Sequence, residues 1–513
     1  MKRFRLRKFL CRKESRCPLD FVSFFSKIPK IGILSIFLAL CLLYGNDSVL
    51  YDQDEAAYSG FAKTMLTKGD YVTMEFPFSE PHRKPPLHFW LTSISYQVLG
   101  VSEFSLRLLP AVWILAICLL TYDLTKRLYN EKTAIYSFLI LATSVYFPLN
   151  GKIALVDGLL TFLQTLGFYS LFRILLQNKD RVGAWIFLFW FSVSMGCLTK
   201  GPPILIFLGG ICFVFLFYKK TRKVIFLLRP WFFLPLALLP LLFWGYLAWQ
   251  NTNGELIRWM IDWYILRRAA DPVFGQSGPP GTYLLLFFIT LFPWSFYLPS
   301  AFIRTIRTIK EVYIAWRYEK EEFSEFPSLT ENKMSLSILF LSGLCFGWIF
   351  YELLMSKLPS YPLAAYPILA VLIASSMERS ESLTFWKKWI PRLAVLQTIS
   401  IVTVFLPLFS EKRRDSYRAA ESWNQFLKQG DTVVSIKNYA LPSLAYYLNA
   451  EIREQTDLQL IQTLPSGTIL LLDQETFYFL NLLGIQGEAL GKEKTIWAYD
   501  RDKTLTLLLF KIR

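Results

Sequence analysis

From residue 31 to residue 410 the chain alternates between long apolar stretches and short polar ones; beyond residue 410 the pattern changes. A helix needs about 20 apolar residues to cross a hydrocarbon core of about 30 Å. On that measure spans are read at 31–45, 104–122, 133–149, 158–176, 184–199, 203–218, 225–249, 282–303, 335–355, 362–378 and 389–410. These eleven spans predict an α-helical polytopic membrane protein. The seventh reads as proline-broken at Pro230, Pro235 and Pro240, and short re-entrant pieces would raise the count to thirteen. In residues 411–513 the β-type runs "TVVSI", "TILLLD" and "LTLLLFKI" alternate with the helix-like "ALPSLAYYLNA" and "ETFYFLNLLG". That alternation predicts a separate, small α/β domain.

Composition agrees with this reading. Of the 513 residues 54% are hydrophobic and 18% charged, whereas a soluble domain carries charge on about a quarter of its residues. A net charge of +16 raises the question of a nucleic-acid partner, and its placement answers no. Residues 1–30 hold ten Lys/Arg against Glu14 and Asp20, while residues 411–513 hold thirteen basic and thirteen acidic side chains. With the N-terminus inside, 31 of the 55 Lys/Arg fall in inside segments, 11 between spans outside and 13 in the terminal domain. That bias fits the positive-inside rule. It predicts a basic cytoplasmic tail, 1–30, a membrane domain, 31–410, and an exported domain, 411–513. The N-terminus lacks the layout of a cleavable signal. The seven cysteines lie in the tail or in apolar segments, so no external disulfide framework is expected.

Two outside loops are longer than connectors, 46–103 and 250–281. The first holds amphipathic stretches at 55–66 and 87–98, and the second holds "IRWMIDWYILRRAADP", all of interfacial character. On this topology distant segments bring polar groups to one membrane face: Asp54 and Glu55, Arg83 and Lys84, Lys152 and Asp157, Lys200, Arg267 and Arg268, and Lys357 with Tyr361. Ionisable residues at a membrane are costly and commonly mark a functional site. Each also has a plain alternative. Asp54 caps a helix in "DQDEAAYSGF"; Arg83–Lys84 snorkel to headgroups; Pro85–Pro86 open a helix; Asp157 pairs with Lys152; Arg267–Arg268 anchor at the interface. His82 and His88 read as packing or capping residues, because two histidines without a cysteine make a poor metal set. Taken together, one or two carboxylates amid several cations suit a phosphorylated, membrane-embedded substrate, with the acid assisting a nucleophile.

In sequence and in order, "DQDEAAYSGFAKTMLTKGDYV", "RKPPLHFWL", "EFSLRLLPA", "ALVDGLLTF", "LTKGPP" and "SKLPSYPLAAYP" resemble motifs of the aminoarabinose lipid A transferases. Those enzymes are grouped with the protein O-mannosyltransferases among the GT-C membrane glycosyltransferases. The resemblance spans most of residues 30–375. It implies transfer of a sugar from a polyprenyl-phosphate carrier to lipid A, another glycan or protein, with inversion, on the periplasmic face of a cell inner membrane. Asp54 matches the loop acid taken as catalytic, Lys84 the Lys of "KPPL", Asp157 the acid of "LVDG", and Lys357 and Tyr361 the "KLP-x-Y" signature. Arg267 and Arg268 lie where that family places cations near the carrier phosphate. The expected set is therefore Asp54 and Asp157 as catalytic residues, with Glu55, Arg83, Lys84, Lys200, Arg267, Arg268, Lys357 and Tyr361 binding substrate.

The chain departs from that family at Arg83, where Glu is common, and in a second long loop that has no histidine. No metal and no cofactor are therefore expected. A more cationic cavity predicts a neutral or acidic donated sugar in place of an amino sugar. Expected partners are the lipid-linked donor, the acceptor and membrane lipids. The competing reading is a transporter or flippase for a lipid-linked or anionic substrate; it calls for repeated halves, and none is visible in the sequence.

Overall fold

The computed structural model describes the chain except for residues 1–29, 52, 177–181, 268–276, 319–332, 380–383, 412–413, 456, 458–460, 462 and 499–502. The basic tail and Arg268 thus lie outside the described residues. Among the described residues seven helices are long and apolar enough to cross a membrane. In chain order the helices of the membrane domain begin with α1 (Lys30–Leu43), α2 (Asp54–Lys68), α3 (Leu87–Leu99), α4 (Glu103–Leu128), α5 (Glu131–Thr143) and α6 (Val156–Leu176). They continue through α7 (Val182–Lys200), α8 (Pro202–Phe215), α9 (Lys219–Leu228), α10 (Pro230–Asn251), α11 (Glu255–Ile261), α12 (Thr282–Thr290) and α13 (Leu298–Tyr318). The last three are α14 (Lys333–Glu352), α15 (Tyr361–Glu378) and α16 (Lys387–Leu408).

Helices α4, α6, α7, α10, α14, α15 and α16 are the seven of spanning length. The other spans expected from the sequence are present as shorter helices, α1, α5 and α8, or as two pieces, α12 and α13, separated at Pro293. The segment expected to be proline-broken is broken only once. Arg229 takes a left-handed conformation, φ 47°, and ends α9. Pro230 then opens α10, where a fixed φ and a missing N–H cost nothing, and α10 runs unbroken through Pro235 and Pro240.

The helices sort by burial. Over its apolar window α15 is 89% buried and stands at the centre, whereas α10 and α16 are each 17% buried and stand at the rim. On α10, Trp231, Phe232, Leu236, Leu239, Leu242 and Phe243 are exposed. Acyl chains can cover such a row, because lipid is as apolar as the side chains themselves. Inside the bundle the hydrophobic effect no longer drives association, so close packing does. A side chain at Gly210 would collide with the ring of Phe346, and one at Gly343 with Ile368 and Phe168. Polar ends are satisfied locally. Ser102 and Ser105 form a capping box on α4, and Asn130 Oδ1 accepts from Thr133 N on α5.

The terminal domain holds α17 (Asp415–Trp423), β1 (Asp431–Ser435), α18 (Pro442–Tyr447), β2 (Ala450–Glu454), β3 (Ile469–Asp473), α19 (Gln474–Leu482), β4 (Gly487–Ala489), β5 (Lys494–Ala498) and β6 (Lys503–Ile512). The strand order is β2-β1-β3-β6-β4, with β5 also paired to β6. β1 runs parallel to β2 and β3, and β6 antiparallel to β3, β4 and β5. The sheet is covered on both faces, which explains the unbroken apolar run of β6. Leu505, Leu507 and Leu509 join the core beneath α17 and α18, while Leu508, Phe510 and Ile512 join the core beside α19.

Candidate active site

The first turn of α2 sends two adjacent carboxylates in different directions, because successive helical residues point about 100° apart. Glu55 turns inward and is 1% exposed, as is Arg107 of α4. Arg107 Nε and Nη2 donate to Glu55 Oε1 and Oε2, each at 2.8 Å, in a bidentate pair. The remaining guanidinium protons go to the carbonyls of Asn46, Ser48 and Val49. Glu55 also accepts from the backbone N–H groups of Tyr51 and Ala154, both at 2.9 Å. The expectation that Glu55 binds substrate is corrected here: its oxygens are engaged and shielded, and it braces the loop after α1 against α4 and the segment before α6.

Asp54 stays half-exposed, and its Oδ1 is the focus of three donors. His82 Nδ1 lies at 2.8 Å, Tyr58 Oη at 2.9 Å and Lys84 Nζ at 3.5 Å. Oδ2 has no partner among the described residues. Tyr58 reaches Asp54 because it sits one turn further along α2. Lys84 Nζ donates to the Tyr58 hydroxyl and lies over the rings of Tyr58 and Tyr264, 4.9 and 5.4 Å from their centroids. Burial works against the Asp54 charge, but Lys84 and the hydrogen bonds from His82 and Tyr58 outweigh it, holding the carboxyl below the usual carboxylate range. Burial first, then Asp54, Tyr264 and Asp157, push the Tyr58 phenol well up, so it remains a proton donor to Asp54.

Local sequence explains the delivery of His82 and Lys84. Glu80–His82 form a single 3-10 turn with Pro81 inside it, Arg83 leaves that turn extended, and Pro86, already in the helical region, opens α3. His88, on the first turn of α3, is buried edge-on to Tyr58 with ring centroids 5.7 Å apart. Its Nε2 has no hydrogen-bond partner among the described residues. Burial, with Lys84 adding to it and the Ala154 backbone and Asp157 opposing, pushes this imidazole down to about 4.

Asp157, on the first turn of α6, pairs with Lys200 at the end of α7 at 2.6 Å, and both side chains are 13% exposed. Its partner is therefore Lys200 and not Lys152. Lys152 Nζ instead donates to the carbonyls of Leu42 and Tyr44, closing the C-terminal end of α1. Lys357 is likewise turned to backbone: it donates to Tyr351 O at 3.0 Å and Glu352 O at 2.6 Å, the last carbonyls of α14. Tyr361 packs on Tyr351, ring centroids 5.4 Å apart. Glu352 accepts from the N–H groups of Gly281, Tyr283 and Leu284 and so fastens the start of α12 beside the Lys357 loop.

Two expected cations have partners other than Asp54. Arg83 Nε donates to Met74 O at 3.0 Å, and its charge faces Glu454 of the terminal domain. It does not make the Asp54 cluster more cationic, which removes the ground for expecting a neutral or acidic sugar. Arg267 pairs with Asp262 at 2.7 Å on an exposed surface. Of the expected residues, then, Asp54 and Lys84 meet directly, Asp157 and Lys200 meet beside them, and Lys357 and Tyr361 belong to a neighbouring loop. The sequence reading missed His82, Tyr58, Tyr264 and Arg107. Tyr58 was accessible from the one-turn spacing to Asp54; His82 had no local signal. Among the described residues no group of three or more His, Cys, Asp or Glu side chains is placed to hold a metal ion.

Residues 83–249 match the dolichyl-phosphate-mannose-protein mannosyltransferase family. An uncharacterized protein of Aquifex aeolicus is 26% identical over 396 residues, covering 72% of this chain and 70% of that one. The undecaprenyl phosphate-alpha-4-amino-4-deoxy-L-arabinose arabinosyl transferase of Pectobacterium carotovorum is 25% identical over 362 residues, covering 68% of this chain and 59% of that protein. The chain thus spans less than two thirds of the length of that transferase. Among solved structures, ArnT from Cupriavidus metallidurans bound to undecaprenyl phosphate superposes with a TM-score of 0.70 at 15% identity, covering 94% of this chain and 98% of that one. The fold is that of the GT-C membrane glycosyltransferases, with a small terminal sheet domain.

Proposed function

We propose that this protein is a GT-C glycosyltransferase that moves a sugar from a polyprenyl-phosphate carrier to lipid A or another glycan, with inversion. The observation that carries the reading is the Asp54 carboxylate, half-open on one side and held by His82, Tyr58 and Lys84 on the other. The arabinosyl transferase name of the Pectobacterium relative favours a pentose. The undecaprenyl phosphate in the Cupriavidus structure favours a polyprenyl carrier. The transporter alternative receives no support from these relatives.

In the reaction an acceptor oxygen attacks the anomeric carbon, and the carbon–oxygen bond to the carrier phosphate breaks. The electron pair leaves with the phosphate, and a single displacement inverts the anomeric centre. Lys84, already stripped of most of its water, stabilises the charge growing on the departing phosphate. Asp54 Oδ2 faces the acceptor. Because its carboxyl is held low, Asp54 is a weak base in the ground state and works first by orienting the acceptor hydroxyl. It takes the proton only as that oxygen becomes acidic during attack. With a phosphate acceptor no proton moves, and Asp54 balances positive charge on the sugar ring.

The site is assigned to the extracytoplasmic side of an inner membrane, with the N-terminus inside. The bias of Lys/Arg toward the segments on the opposite side supports that orientation. Purified protein in detergent, with no gradient, is expected to release polyprenyl phosphate and glycosylate lipid A from one member of a panel of polyprenyl-phosphate pentoses and hexoses. If no donor in the panel is consumed, the reading fails.

A further inference from the structure

The loop before Lys84 is held from an unexpected quarter. Phe78 belongs to the membrane domain by sequence, yet its side chain is 0% exposed within the terminal-domain core, packed edge-on to Tyr439 with centroids 6.2 Å apart. Its backbone is left-handed, φ 61°, a conformation disfavoured for a bulky residue and retained only where the surroundings impose it. Its N–H donates to Glu454 Oε1 of β2 at 2.6 Å. Two residues earlier, Phe76 lies against α2 where only a glycine, Gly60, leaves it room. From this wedge the chain proceeds through the turn at Glu80–His82, with His82 N bonded to Ser79 O at 3.0 Å, directly to the Asp54 contact.

The terminal domain also holds the other strand that meets there. Tyr447 Oη accepts from Leu50 N at 2.9 Å and donates to Glu103 Oε1 at 2.7 Å, and Lys63 of α2 reaches Tyr446 O at 3.4 Å. Both chain segments that converge on the carboxylate are therefore seated on one body, and Phe78 is the residue by which the second is inserted.

We propose that Phe78 is a positioning residue for sugar transfer: its insertion into the terminal domain sets the turn that presents His82 and Lys84 to Asp54. The proposal rests on the function proposed above for that cluster. Displacing a reacting group by about 1 Å costs on the order of a hundredfold in rate, so a loosened anchor is expected to act on turnover more than on donor binding.

The test uses the full chain in detergent. Phe78→Ala is expected to lower kcat by about tenfold or more while the donor KM stays within about threefold. Phe78→Leu, which refills the pocket, is expected to recover most of the loss. Hydrogen exchange is expected to rise in residues 79–84 and to stay unchanged in β1 and β3. Wild-type kcat in Phe78→Ala would overturn the proposal. So would a loss accompanied by faster exchange across β1 and β3 with none at 79–84, since Phe78 would then serve only the domain core. If Phe78→Ala does not fold, Glu454→Ala is judged by the same readouts. If the wild-type protein transfers no sugar, the functional reading falls, while the exchange experiment still decides whether the terminal domain anchors the turn.

Discussion

Asp54 and Glu55 are neighbours with the same chemistry and opposite fates, and that contrast sharpens what mutation should do at each. Asp54→Asn is expected to keep the protein folded and to lower kcat by about a hundredfold or more, read in the detergent transfer assay. Glu55→Gln removes the negative charge and one of the two acceptor oxygens opposite the buried Arg107. Breaking such a pair costs about 3–5 kcal/mol, so the variant is expected to lose folded protein before any kinetic effect can be measured. His88 gives a pH signature. Its pKa is about 4 when folded and about 6.5 when unfolded, so the unfolded state binds more protons between those values. Stability should therefore fall as pH drops from about 6.5 toward about 4. His88→Phe, which removes the imidazole without stranding a hydrogen-bond partner of Nε2, is expected to flatten that decline in thermal melts. Asp54 has the opposite profile in activity: a carboxyl held low stays ionised through this range, so the acid limb of kcat should not report it.

At the scale of elements, the apolar pattern located the helical segments, one of them in two pieces, because period and length are properties of the local chain. What it did not supply was which ends meet. The "SKLPSYP" loop reads as a cationic substrate site, yet Lys357 closes α14 and Glu352 opens α12, so the loop is fastened to its neighbours by backbone bonds that no motif announces. Glu352→Ala would leave three N–H groups at the start of α12 without their acceptor. Each buried donor left unpaired costs about 1–3 kcal/mol. The expected result is a lower melting temperature with faster exchange at residues 281–284, and the Asp54 cluster, built on other elements, should keep its kcat in the folded fraction. The same limit explains Arg83. Its place beside Lys84 in sequence predicts a shared pocket, but in the extended segment before Pro85 successive side chains point to opposite sides, and Arg83 turns instead to Met74 O.

For the whole molecule, the motif order was enough to imply the GT-C arrangement, and the convergence of Asp54 and Lys84 on one face was legible. The side chains of His82 and Tyr264 beside them were not, because they reach the site only through packing between distant elements. Orientation is testable at this scale. A cysteine introduced at the exposed Lys428 should react with an impermeant maleimide from the extracytoplasmic side of intact spheroplasts; labelling only after lysis would reverse the assignment.

The contact of Tyr447 with Leu50 and Glu103 joins positions 397 and 344 residues apart. During synthesis the membrane helices emerge before the terminal sheet, because the sheet follows them in the chain. A nascent chain thus passes through insertion with its acid and lysine already made but the supports that seat them absent. A protein ended at residue 410 is expected to insert, to hold its membrane helices, and to show transfer reduced by about tenfold or more. Synthesis of the terminal sheet would then seat the two segments that meet at Asp54 only after the membrane helices are in place.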